Sequence, residues 1–82
     1  MSYHVGDLVF WILGTASGEA VFIGHPKTDK SRRVLILATD AETGFKIDAE
    51  DCRRTGLSYP NSGRDYRQRY AKNHPGELVG NP

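Results

Sequence analysis

Three histidines, one cysteine and a cluster of carboxylates are the residues of this 82-residue chain that could carry catalysis or hold a metal. His4, His25 and His74 lie far apart, and none has a Cys, Asp or Glu at the spacing typical of a zinc site. No metal-ligand set is assigned. Cys52 lacks the local pattern of His with Asn or Asp that would mark an activated thiolate, so a partly buried structural thiol is expected there. Asp48, Glu50 and Asp51 are carboxylates of the kind used in acid–base work. A helical turn explains them as well, with Asp48 as cap, acids in the positive first turn, Arg53 and Arg54 near the negative end, and Gly56 as the stop. Gly14-Thr-Ala-Ser-Gly18 is followed by Glu19 rather than by Lys and a helix, and reads as a turn rather than a phosphate loop. The sequence therefore assigns no catalytic residue and no cofactor, and an enzyme is not expected.

Positive charge is the feature whose spacing points to binding. Lys27, Lys30, Arg32 and Arg33 crowd a short polar stretch against Asp29 alone. Arg53 and Arg54 open a second basic region, in which Arg64, Arg67, Arg69 and Lys72 are interleaved with Tyr66 and Tyr70. Cations mixed with aromatic rings suit phosphate pairing and base stacking. The net charge of +1 hides this division: residues 1–52 hold five cations against eight anions, whereas residues 53–82 hold six against two. A third candidate surface is apolar. Leu8, Phe10 and Ile12 alternate along one strand and would form a patch of the kind that marks a partner site, unless the tail or a curved sheet covers it.

The elements that must position these groups are short. Val5 to Leu13 is rich in β-branched and aromatic residues and runs into the turn formers of Gly14–Gly18, and Ala20 to Ile23 follows, closed by Gly24-His-Pro26. These two read as a hairpin. The polar stretch from His25 to Arg33 is a loop, Val34 to Thr39 a third strand, and Phe45 to Ile47 a fourth, joined by a turn with Asp40 at its start and Gly44 at its end. The helical turn over 48–56 competes with a short fifth strand across Cys52 to Leu57; the turn, followed by a brief strand around Leu57 to Tyr59, is the primary expectation. Beyond Pro60-Asn-Ser-Gly63 aliphatic residues nearly vanish until Leu78 and Val79, which places the core within residues 5–59. Gly63 to Lys72 suits a short helix, capped by Ser62 with Asp65. The expected organisation is a small β domain over residues 1–60 and a basic, Tyr-containing tail over 61–82, loose or briefly helical.

The opening Val5-Gly-Asp-Leu-Val9, the turn, Gly18-Glu-Ala-Val-Phe-Ile-Gly24, and then a third strand and tight hairpin resemble the Src-homology-3-like small barrels, including the KOW and Tudor types, over residues 4–59. The resemblance implies a mainly β fold, a barrel of four to five short strands with one helical turn. It implies that Val9, Trp11, Val21, Ile23, Phe45 and Ile47 face inward, joined by Val34 and Ile36 or their neighbours, with Leu8, Phe10 and Ile12 outward. The proline-peptide aromatic pattern and the methyl-lysine cage of some members have no counterpart here.

The expected function is a non-enzymatic binding module whose partner is nucleic acid or an acidic protein surface. Nucleic acid is motivated by the two basic regions. A protein–protein role, as adaptor or inhibitor, is motivated by the apolar strand face and the balanced net charge. A small oligomeric enzyme with a site at a symmetry axis is the remaining alternative. The longest strongly apolar run, Leu8 to Leu13, is far short of the roughly 20 residues that span a bilayer, and the first residues lack a signal-peptide pattern. With a single cysteine, the expected location is cytoplasmic and no membrane partner is assigned.

Overall fold

A computed structural model describes residues 3–79. Five antiparallel strands form one open sheet: β1 (Asp7–Leu13), β2 (Ala16–Gly24), β3 (Val34–Ala38), β4 (Gly44–Asp48) and β5 (Cys52–Ser58), in the order β4-β3-β2-β1-β5. The mainly β class expected from the sequence is thus the one adopted, with β4 and β5 as the sheet edges. A 3-10 turn, Ala49–Asp51, leads into β5, and one helix, α1 (Pro60–Asn73), follows it. The turn is shorter and the strand longer than expected. Asp48 makes no side-chain cap bond, and Gly56 stops no helix; it lies within β5 at φ 89°, on the strand whose pairing with β1 shifts register between Asp7 and Val9.

The hairpins form where turn chemistry permits. Asp40 Oδ1 accepts from the amides of Glu42 at 2.8 Å and Thr43 at 2.7 Å, closing the turn between β3 and β4. Register then sorts side chains into two layers, because neighbours in a strand point to opposite faces. The inner face holds Val9, Ala20, Phe22, Leu35, Leu37, Ile47 and Cys52, and Trp11 and Phe45 pack against them while meeting each other edge to face at 5.4 Å. The indole lies on Gly18, where a Cβ would stand 3.1 Å from the ring. The outer layer holds Ile23, Ile36, Ala38, Tyr70 and Leu78.

Two expectations are corrected here. Val9, Trp11, Phe45 and Ile47 do share the inner cluster, but Ala20 and Phe22 accompany them on β2, and Leu35 and Leu37 on β3. Ile23 and Ile36 belong to the outer layer, and Val21 pairs with Ala38 in that row, while Val34 is half-buried. Both faces of β2 and β3 are apolar, so alternation alone does not say which is inside. The core also reaches beyond residue 59, because Tyr70 and Leu78, at 9% and 4% exposure, close the outer layer.

Helix α1 starts at Pro60, whose fixed φ suits the first helical position, and not at the Ser62–Asp65 pair; its N-cap residue is Tyr59, without a side-chain cap bond. Gly63 makes the docking possible: a Cβ there would stand 2.5 Å from Gly6 Cα and N. Helix and chain start therefore meet glycine to glycine. From that point α1 runs across the sheet, with Arg67 at the end of β2 and the Tyr70 ring against Gly44 at the start of β4. The part of the expected tail over residues 61–79 is thus packed on the sheet; residues 80–82 lie outside the described residues.

Candidate functional site

The loop between β2 and β3 is built rather than slack. His25 Nδ1 lies 2.9 Å from the carbonyl oxygen of Val34, and the ring packs edge to face on Phe22. Asp29 acts as a staple: one carboxylate oxygen accepts from Ser31 Oγ at 2.6 Å, the other from the Val34 amide at 2.6 Å. These bonds hold the Asp29 carboxyl below the usual carboxylate range, the Ser31 hydroxyl contributing most. Arg32 takes a left-handed φ of 58°, and the Ala49 amide donates to the Arg33 carbonyl at 2.7 Å.

A short strap from the chain's other end fixes the start of the loop. Lys27 N donates to the Glu77 carbonyl at 2.7 Å, Val79 N donates to the His25 carbonyl at 2.9 Å, and Pro26 and Leu78 form a β-bridge between them. The side chains of Glu77, Lys46 and His74 lock the strap to β4 and to the end of α1, each pair at 2.9 Å. His74 also stacks on Tyr70 at 4.3 Å. Sequence reading missed this lock because its members lie on three separate elements.

On this framework Lys27, Lys30, Arg32 and Arg33 are exposed and form no ion pair among the described residues. The helix cations are placed differently. Arg67 is drawn inward, donating to the carbonyls of Ile23 at 2.7 Å and Val79 at 2.8 Å; burial lowers its pKa from the usual guanidinium value. Tyr70 is buried in the outer layer and Tyr66 half-buried beside it. Arg69 pairs with Asp65 at 3.3 Å, and Arg64 donates to Asn61. A groove between α1 and the β3–β4 turn is lined by Glu42, Asp65, Arg69 and Lys72, so its charges offset one another. Arg54 pairs with Asp7 at 3.1 Å and lies over the Tyr3 ring, while Arg53 projects from β5 beside Phe10. The twelve cationic and tyrosyl candidates thus divide into an unpaired loop, a helix largely occupied with its own packing, and a pair on β5.

The third candidate, Leu8, Phe10 and Ile12, forms one row on the outer side of β1, alternating with the inner Val9 and Trp11. Leu8 and Phe10 are half-buried and Ile12 is 46% exposed. Cys52 is buried, donates to the Asp48 carbonyl at 3.4 Å and has its pKa pushed up to about 11, first by burial and then by Asp51 and Asp48. Such a thiol stays protonated and is a poor nucleophile at neutral pH. Among the described residues no group of three or more His, Cys, Asp or Glu is placed to hold a metal, and no helix is long and apolar enough to cross a membrane. No family model, curated protein or solved structure matches the chain.

Proposed function

We propose that this chain is a non-enzymatic, cytoplasmic binding module of the Src-homology-3-like kind that grips the phosphate backbone of nucleic acid with the loop between β2 and β3. The architectural part of this reading is supported by the strand order, a four-strand meander whose first strand pairs antiparallel with the fifth. The single observation that carries the function is the loop itself: four exposed cations, without ion pairs among the described residues, on a backbone fixed by Asp29, His25 and the 77–79 strap. Preorganised cations lose little conformational freedom on meeting phosphates. The helix enters differently from the sequence expectation. With Arg67 bonded to carbonyls and Tyr70 buried, stacking on unpaired bases is not part of the proposal.

Fluorescence anisotropy with a labelled duplex and its separate strands, titrated at several salt concentrations, tests this. Binding through four phosphate contacts gives a slope of log K against log salt of about −3 to −4 on a duplex. Lys30→Ala and Arg33→Ala should each make it shallower by about one unit, and Tyr66→Ala should leave it unchanged. Failure of duplex and single strands alike to bind tens of micromolar protein at low salt would sink the reading and turn the loop toward an acidic protein surface.

A further inference from the structure

We propose that the outer face of β1 is the contact surface of a two-fold symmetric dimer of this chain, centred on Phe10 and Ile12. A strand of an antiparallel sheet with one face in water alternates apolar and polar residues, whereas a strand covered on both faces is apolar throughout. β1 belongs to the second kind: Leu8, Phe10 and Ile12 on the outside alternate with Val9, Trp11 and Leu13. In β2 and β3 the outer face is covered by α1 and the 77–79 strap through Tyr70 and Leu78. Among the described residues no such cover follows on β1 past the Gly6–Gly63 contact, and at the end of the strand Ile12 and Leu13 stay 46% and 47% exposed.

The charges beside this row say what covers it. Phe10 stands opposite Glu19 on β2 and opposite Arg53 on β5, so one anion and one cation flank the same ring, both exposed. The row below is Ile12 beside Ser17, with Glu50 and Asp51 lining the same surface hollow as Phe10, Ile12 and Arg53. A two-fold axis lying along β1 between two facing sheets sets Phe10 against its own copy and brings Arg53 over the partner's Glu19, twice by symmetry. An axis across the strands would instead set like charge on like charge. The face is thus self-complementary in one orientation, as an isologous contact requires. α1 sits at the opposite end of the face, over Ile23, Ile36 and Ala38, which centres the contact on Phe10 and Ile12.

The experiment is sedimentation equilibrium of the full chain from micromolar to millimolar concentration, with two charge swaps. The wild type should rise from 9.1 kDa toward twice that mass. Glu19→Arg and Arg53→Glu should each weaken association about tenfold or more, since each sets like charges together twice. Mixing the two variants should restore it, because the mixed dimer regains both opposite-charge pairs. Both residues are exposed, so the swaps leave the fold intact, which circular dichroism checks. A wild type monomeric at millimolar concentration, or association that neither swap weakens or that mixing fails to restore, would overturn the proposal. These readouts involve no oligonucleotide and stand apart from the loop reading.

Discussion

An arginine set between two tyrosines on a basic helix reads as a phosphate contact until its neighbours are in place. Arg67 and Tyr70 share the helix face that Gly63 lays on the sheet, so the guanidinium meets the carbonyls of Ile23 and Val79 and the ring meets Gly44. Charge-assisted bonds of this kind are among the stronger ones, and removing the donor leaves carbonyls unpaired. Arg67→Met, which keeps the stem, should cost about 2–4 kcal/mol in urea unfolding, whereas Arg69→Ala at the exposed Asp65 pair should cost under about 1 kcal/mol. Equal costs would show that Arg67 is a surface cation after all. The sequence carried no signal of this difference. Arg64, Arg67, Arg69 and Lys72 differ only in helical phase, and that phase is set by the contact of Gly63 with Gly6.

At the scale of elements, α1 is a structural layer rather than a tail. Its buried side carries Gly63, Tyr66, Arg67, Tyr70 and Ala71, with no large aliphatic residue at the repeating positions that normally announce an amphipathic helix. That is why the strands and the β3–β4 turn were legible from β-branched runs and turn formers, while the helix's packing and the facing of β2 and β3 were not. Ala20-Val-Phe-Ile23 and Leu35-Ile-Leu-Ala38 are apolar at every position, and only the outer layer decides which side is which. A chain ending at residue 59 would expose Ile23, Ile36 and Ala38 and should lose cooperative thermal unfolding; retention of a sharp transition would return residues 60–79 to the status of a dispensable tail. The strap lock adds a pH dependence. Lys46, and secondarily His74, hold the Glu77 carboxyl below its ordinary value, so its stabilisation is complete above the usual carboxylate range and is lost as pH falls through the folded-state value. Glu77 in turn raises the Lys46 pKa, so on the alkaline side the same contribution fades as pH rises past the ordinary lysine range. Thermal melts of Glu77→Gln should therefore approach wild type in strong acid and fall below it at neutral pH. A constant difference at every pH would remove the lock from the account.

For the whole molecule, charge is sorted by use rather than by sequence region. Cations of the C-terminal half are largely engaged with Asp7, Asp65, Asn61 and two carbonyls, although that half is the more basic by count. The unpaired group lies in the half whose net charge is negative, on a loop held by Asp29 and the strap. Net charge per region was therefore a poor guide to where exposed cations without ion pairs lie among the described residues, whereas the local crowding of Lys27, Lys30, Arg32 and Arg33 was a direct one. The most direct test of this division is an amide chemical-shift titration of the full chain with a short DNA duplex at low salt. The account predicts shifts concentrated in residues 27–33 and the adjoining 77–79 strap, with the exposed helix positions Arg64, Gln68 and Lys72 unmoved. Shifts centred on α1, or none at saturating duplex, would contradict it.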